Sequence, residues 1–177
     1  MPQRITHAER IAAIRELEDS RLRLLTALEG LTEEQWRLRP ASNRWSIAEC
    51  AEHITAAEVA MLKLLAAATA GEASDSVRER DDFVRRSMRD RTRRDQAPEN
   101  LRPRGRWATG EETIRVFEER RAANLDFVQK TQEDLRGRFF PHPLAGILDC
   151  YQWLVFLAAH TDRHAEQIEE TRRVCGA

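Results

Sequence analysis

The chain contains few residues of the kinds that make turns, disulfides or membrane spans. Its 177 residues include only 7 glycines and 6 prolines, which favours long helices over many turns. The three cysteines, Cys50, Cys150 and Cys175, are odd in number and lack a Cys-x-x-Cys spacing. We therefore expect reduced thiols, with Cys50 and Cys150 as small core residues. No apolar run reaches the roughly 18 residues that a membrane-spanning helix needs.

Charge and the N-terminal residues exclude further classes of protein. The formal net charge is -1, so no overall field attracts the chain to nucleic acid or lipid. Thr6, His7, Glu9 and Arg10 lie where a secretory signal needs an apolar run, which makes a cytoplasmic location the expectation. The length suits one domain, spanning residues 1–177, with a substantial core.

N-terminal capping patterns predict four long helices. An N-cap residue precedes a Glu or Gln three positions later at Thr6, Ser46, Thr109 and Asp149. The first helix is predicted to end near Leu28, the second near Ala70, the third near Gln132 and the fourth near Arg173. A single short turn of helix is predicted at 32–36. We find no strand signal, so the expected fold is all-α.

The predicted helices form a four-helix bundle with one unusually long connection. Each carries an apolar stripe of 3.6-residue period, as bundle helices do. The connection between helices two and three has some 38 residues, enough for the chain to return along the bundle. Helices two and three can therefore be parallel. The remaining connections are shorter.

The long connection includes an arginine-rich segment, residues 78–106. It holds 11 arginines against 6 acidic residues, a local charge of +5. Its first part, through Arg94, is compatible with a short polar helix, and its second part is expected to be irregular because of Pro98, Pro103 and Gly105. Three interpretations remain open: a solvated, mobile crossover, a lid over a pocket, and a basic surface for an acidic partner. RNA is a weak candidate, since only Phe83 and Trp107 offer stacking surfaces.

Three histidines fall on predicted inward faces of the helices. His160 and His164 are one turn apart on the fourth helix, and His53 lies on the second. The charged neighbours of the pair, including Asp162, are predicted to face water. Buried imidazoles need partners for their nitrogens, and neutral imidazole is the commonest metal ligand. Pairing with carboxylates or carbonyls is the simpler alternative.

The spacing of the pair is not that of a zinc protease. A His-Glu-x-x-His motif needs a general-base glutamate directly after the first histidine, and Thr161 occupies that position. His7 near the terminus and His142 between two prolines are not expected to be ligands. Three imidazoles with one open position are typical of catalytic zinc, and imidazole also suits nickel, copper and iron.

Two charged side chains near these stripes have two interpretations each. Glu49 lies one turn before His53, where it can hold the second nitrogen of that imidazole or simply complete the helix cap. Arg21 falls within the apolar stripe of the first helix, where it either extends to the surface or binds an anion in a pocket.

Two segments resemble the DinB/YfiT-like superfamily, also called the DNA-damage-inducible DinB family. They are Arg44–His53, with its Trp-Ser…His pattern, and His142–Gly146 leading into Trp153–His164. The resemblance implies an up-down-down-up bundle, with the long crossover between helices two and three. It implies a divalent metal, most often nickel or zinc, on His53, His160 and His164. Because members of the superfamily are often dimeric, the resemblance also implies a homodimer.

The resemblance is less informative about activity. Related proteins include S-transferases and isomerases that depend on low-molecular-weight thiols. One hypothesis is therefore a metal-dependent transferase or hydrolase acting on a small molecule, with a low-molecular-weight thiol as co-substrate. The other is a non-catalytic, metal-stabilised interaction module of a stress response. An open metal position lined by polar groups favours the first hypothesis. A fourth protein ligand, or a metal sealed under Trp and Phe side chains, favours the second.

Overall fold

Four long helices make up most of the fold in this computed structural model, which describes residues 4–71, 78–92 and 96–177. They are α1 (His7–Leu28), α3 (Ile47–Ala67), α5 (Gly110–Lys130) and α6 (Cys150–Cys175). Short elements connect them: α2 (Glu33–Trp36), α4 (Asp81–Arg89) and a 3-10 turn (Glu99–Leu101). Within the described residues, no helix is long and apolar enough to span a membrane.

Side-chain caps begin the helices at the predicted residues. Thr6, Ser46 and Asp149 each form both hydrogen bonds of a capping box. Thr109 forms only one, because the Glu112 carboxylate accepts from the N–H of Ala108 instead. Two predicted ends were too late, since α3 stops at 67 rather than 70 and α5 at 130 rather than 132.

The long helices run up, down, down and up. Helix α1 is antiparallel to α5 and parallel to α6, while α3 is antiparallel to α6. The contacts that give these directions are Arg10–Val128, Arg21–Glu118, Arg23–Asp162, Ala27–Arg172, Trp45–His164 and His53–His160. Helices α3 and α5 are therefore parallel, and the predicted four-helix bundle with its long crossover is confirmed.

A small antiparallel sheet covers one end of the bundle, which corrects the expectation of no strands. Its order is β1 (Thr69–Ala70), β2 (Arg138–His142) and β3 (Gly146–Asp149), with Phe139 paired to both Thr69 and Asp149. The strands are short and Pro141 interrupts the β2 pattern, so the sequence signal is weak. Because β1 pairs only with residues 138 and 139, the missing N–H of Pro141 costs no bond to that strand.

The first described part of the arginine-rich segment packs against the bundle. Helix α4 lies against α6 and buries Val84 completely. Three arginines in and just after this helix pair with acidic side chains of the long helices: Arg85 with Glu16, Arg89 with Asp162, and Arg91 with Glu170. These contacts place this part of the segment against the bundle and use three of its arginines in ion pairs within the chain. Residues 93–95 lie outside the described residues.

Asp162 also corrects the expectation that the charges beside the histidine pair face water. Its side chain is only 5% exposed, because Arg23 of α1 and Arg89 of α4 each form an ion pair with it. The carboxylate therefore joins α1, α4 and α6, and holds the crossover beside the helix that carries both histidines.

A buried ion pair joins all four long helices. Glu58 of α3 and Arg121 of α5 are both fully buried and contact each other directly. The Arg121 guanidinium also donates to Ser20 of α1 and Thr161 of α6, at 2.9 and 3.0 Å. Asn124 donates to the second Glu58 oxygen at 2.7 Å. The donors to this carboxylate, Arg121 and Asn124, both belong to α5, and Arg121 extends the contact to α1 and α6.

We predict that Arg121→Met lowers the free energy of unfolding by about 3–5 kcal/mol, because it leaves Glu58 as a buried charge without its cation. Arg21→Met is the matched control. Arg21 pairs with Glu18 and Glu118 at the surface, where the loss is expected to be about 0–1 kcal/mol. Urea unfolding measures both, and equal losses would contradict the prediction.

Candidate metal centre

Helices α3 and α6 bring together the three histidines that the sequence selected. His53 comes from α3, and His160 and His164 from successive turns of the antiparallel α6. One nitrogen of each imidazole lies within 4.8 Å of the other two, and the Nε2 atoms of His53 and His160 are 3.1 Å apart. The side chains form a cluster in which each ring contributes a nitrogen to one point.

Hydrogen bonds on the far side of two rings determine which nitrogen carries the proton. The Leu101 carbonyl accepts from Nδ1 of His53 at 2.9 Å, so Nε2 of that ring keeps its lone pair. In the same way, Oε1 of Gln167 accepts from Nδ1 of His164 at 3.0 Å. Partners of this kind orient metal-binding histidines and raise their basicity.

His160 shows that hydrogen bonding alone does not satisfy the cluster. Since Nε2 of His53 is an acceptor, a bond between the two rings requires Nε2–H on His160. Its Nδ1 would then be an acceptor, yet that atom is buried and has no hydrogen-bond partner. The simpler alternative, histidines paired with carboxylates or carbonyls, therefore accounts for His53 but not for His160. A metal ion on Nε2 of His160 would leave its Nδ1–H equally without an acceptor, so this atom alone does not indicate a metal. The set of three imidazole donors itself suits a divalent metal ion, and it does not specify which one.

Burial keeps the cluster uncharged near neutral pH. Loss of water contact lowers the pKa of His53, and it lowers the pKa values of His160 and His164 well below their ordinary range. Repulsion between the neighbouring imidazoles, and from Arg163, acts in the same direction at the last two. The neutral imidazole that these shifts favour is the form that binds metal.

Aromatic rings flank the cluster on two sides. Half-buried Trp45 lies 4.9 Å from the His53 ring, and Phe156 stacks on His160 at 5.1 Å, centroid to centroid. His160 keeps part of its surface exposed. Within the described part of the chain, no Cys, Asp, Glu or fourth His joins this group. A set of three protein ligands corresponds to the catalytic rather than the structural type of zinc site.

The second part of the arginine-rich segment covers the His53 side of the cluster. Besides the Leu101 carbonyl, its backbone at residues 104–106 contacts Glu52, the residue before His53. Burial alone would raise the pKa of Glu52, but the hydrogen bonds from these N–H groups and from Arg106 hold it below its ordinary value. These contacts agree with a cover over the site, one of the three interpretations from the sequence.

In the structure, neither Glu49 nor Arg21 has the functional role that the sequence left open for it. Glu49 completes the α3 cap and pairs with Arg39, and it does not hold His53. Arg21 pairs with surface carboxylates rather than lining a pocket for an anion.

The sequence analysis did not identify three residues around the cluster: Leu101, Glu52 and Gln167. Only Gln167 had a signal, since it lies one helical turn after His164.

His142 lies beside the cluster and outside it. Its ring packs on Phe156 and Trp153, with centroids 4.5 and 5.1 Å apart. The backbone N–H groups of Leu144 and Ala145 both donate to its Nδ1, so the proton is on Nε2. Burial lowers the pKa of His142 to about 4. Its exclusion from the ligand set agrees with this geometry.

The cysteines do not supply a reactive group at the site. Cys50 and Cys150 are buried, as expected, and Cys175 is partly exposed; all three are free thiols. Burial raises the pKa of both Cys50 and Cys150 to about 12. Both thiols therefore stay protonated at neutral pH and are poor nucleophiles.

The fold and the cluster define an up-down-down-up helix bundle with a three-histidine site at the α3–α6 contact. The sequence matches the family model of the DinB superfamily over residues 16–168, so the chain belongs to that superfamily. It is 25% identical over 154 residues to the uncharacterized protein YuaE of Bacillus subtilis (strain 168), covering 87% of this chain and 93% of YuaE.

Two solved structures share the fold. One is YfiT from Bacillus subtilis, described as a probable metal-dependent hydrolase with an unusual four-helix bundle topology. It has a TM-score of 0.61 and 17% identity, over 97% of this chain and 90% of YfiT. The other is TT2238, a four-helix bundle protein, with a TM-score of 0.59 and 22% identity, over 91% of this chain and 98% of TT2238.

We predict that His142 titrates with a midpoint near pH 4, well below its ordinary value of 6.5, and carries its proton on Nε2 above that pH. Between these pH values the unfolded chain binds more protons at this residue, so its contribution to folding stability falls as the pH falls. NMR of ¹⁵N-histidine-labelled protein measures both properties, with His142→Gln identifying the signal. A midpoint near 6.5 would contradict the prediction.

Proposed function

We propose that His53, His160 and His164 bind a divalent metal ion and that the chain is a metal-dependent enzyme for a small-molecule substrate. The observation that carries this proposal is the convergence of three uncharged imidazoles, one nitrogen of each lying within 4.8 Å of the other two. The description of YfiT as a probable metal-dependent hydrolase supports the metal dependence.

A divalent ion held by His53, His160 and His164 would supply the Lewis acidity that makes a thiol or water nucleophilic near neutral pH. The residues of the chain have the remaining tasks. Leu101 and Gln167 hold the protons of His53 and His164 on the nitrogens away from the site. Trp45 and Phe156 provide apolar walls that limit water on two sides.

The nucleophile in this proposal comes from outside the chain. Cys50 and Cys150 are buried and protonated, so neither one supports covalent catalysis. We favour transfer of a low-molecular-weight thiol to a small electrophile, on the basis of the family resemblance. The thiol sulfur then bonds to an electrophilic carbon, the leaving group departs with its bonding electrons, and the thiol proton passes to solvent. Hydrolysis is the second candidate, supported by the description of YfiT.

The alternative, a metal-stabilised module without catalysis, needs a saturated or sealed site. Three ligating side chains rather than four, and the partial exposure of His160, favour the enzyme. Nickel or zinc as the metal, a homodimer and a cytoplasmic location remain predictions from the sequence.

We predict that His53→Ala, His160→Ala and His164→Ala each lose the bound metal, because two imidazoles hold a divalent ion much more weakly than three. His142→Ala is the matched control, since it removes a histidine from the neighbouring aromatic cluster and is expected to retain the metal. Metal analysis after dialysis gives the occupancy. Full occupancy in His53→Ala would refute the ligand assignment.

We also predict that low-molecular-weight thiols change the visible spectrum of the cobalt- or nickel-loaded protein. A thiolate that enters an open coordination position produces a charge-transfer band, and His160→Ala should lack it. A panel of small electrophiles then tests turnover with the same thiols. If no thiol changes the spectrum and no turnover of electrophiles or esters is found, the non-catalytic module becomes the better interpretation.

A further inference from the structure

Glu52 is a buried carboxylate that binds the backbone of the crossover. Three successive N–H groups, those of Arg104, Gly105 and Arg106, donate to its two oxygens at 2.8, 2.9 and 3.3 Å. Nη1 of Arg106 adds a fourth bond at 2.6 Å. The Glu52 side chain is only 9% exposed, so these charge-assisted bonds are shielded from water. We call residues 100–106 the strap.

Arg106 and Gly105 give the strap its shape. While Arg106 pairs with Glu52, its guanidinium also donates to the carbonyls of Asn100 and Arg102, at 2.7 and 2.8 Å. These two carbonyls flank Leu101. Gly105 has a φ of +73°, a left-handed conformation in which neighbouring N–H groups converge on one anion. The strap is thus closed on itself and attached to α3 at Glu52.

The strap carries the carbonyl that contacts His53. The Leu101 oxygen accepts from Nδ1 of His53 at 2.9 Å, and Glu52 is the residue next to His53 on the same helix. We propose that Glu52 is a positioning residue of the histidine cluster: by fixing the strap, it places the Leu101 carbonyl so that His53 presents an unprotonated Nε2 to the site. The part of this inference that concerns metal affinity rests on the proposed function.

A positioning role and a purely structural role of Glu52 predict different effects on His53. If the strap moves away, Nδ1 of His53 loses its acceptor, and the proton can move to Nε2. A proton on Nε2 competes directly with a metal ion for the lone pair, and the loss of such an outer partner typically weakens metal binding 10- to 100-fold. A merely structural role for Glu52 would change the stability of the fold and leave the tautomer of His53 as it is.

Two variants loosen the strap by different means. Glu52→Gln keeps the size of the side chain but replaces one acceptor oxygen with an NH₂ group that faces backbone donors. Gly105→Ala leaves Glu52 intact and disfavours the left-handed conformation, although an added Cβ would contact nothing within 4 Å. Gly30→Ala is the matched control, because Gly30 has a φ of +71°, equally open surroundings and a position outside the strap.

The first readout uses metal-free protein. Long-range ¹H–¹⁵N NMR of the imidazoles identifies the protonated nitrogen of His53, with His53→Ala confirming the assignment, and hydrogen exchange follows the strap amides. We expect Nδ1–H in the wild type and in Gly30→Ala, and a mixture of tautomers in both strap variants. Exchange of the amides at 104–106 should be at least about tenfold faster in the strap variants, while α6 remains protected.

The second readout is metal affinity by cobalt titration, for which we expect a loss of about 10- to 100-fold in both strap variants and none in Gly30→Ala. An unchanged His53 tautomer in both strap variants would overturn the positioning role, even if exchange is faster. If the wild type binds no metal, the proposed function fails, while the tautomer measurement still decides the role of Glu52. If His53→Ala loses metal but the strap variants keep wild-type affinity and tautomer, only the positioning role fails.

Discussion

The parallel arrangement of α3 and α5 is the constraint on which the rest of the structure depends. Because both helices run in the same direction, the chain between them must return along the length of α3, about 30 Å for its 21 residues. An antiparallel pair would need only a short turn. The return path passes α6 as helix α4 and then reaches α3 beside His53. The connection therefore becomes one wall of the histidine cluster.

The charges of the crossover follow from this path. A segment with 11 arginines would repel itself if it were left in solvent, but the bundle supplies acidic partners along its course. Arg85, Arg89 and Arg91 pair with α1 and α6, and Arg106 pairs with Glu52 of α3. The arginine-rich composition is thus compatible with a well-packed connection. Two of these guanidinium groups still act on the site, since the positive charges of Arg106 and Arg91 help to lower the pKa values of His53 and His164.

Local rules accounted for the helices because capping and periodicity are local. Ser46 and Asp149 are N-caps whose capping boxes can be recognised within four residues of sequence. The four-residue spacing of His160 and His164 places both histidines on one face of their helix. The DinB resemblance supplied the chain directions, which local patterns leave open. The sheet was missed because strands of two to five residues with a proline have almost no pattern of their own.

The surroundings of the site could not be read in the same way. Glu52 and Arg104–Arg106 are some 50 positions apart, and their contact depends on the path of the crossover. Glu49 was the more obvious partner for His53 on helical spacing, yet its carboxylate is used by the cap and by Arg39. The decisive partner of His53 is a main-chain oxygen, which no residue type identifies.

That main-chain contact has a consequence for how the segment tolerates sequence change. Replacing the Leu101 side chain leaves the carbonyl oxygen in place, so many residue types are compatible with the bond to His53. Inserting or deleting one residue between Pro98 and Arg106 would instead shift a different carbonyl, or an N–H group, toward the imidazole. At position 101 the histidine cluster therefore constrains the spacing of the chain rather than the type of side chain, whereas Gly105 and Arg106 are constrained by their own roles in the strap.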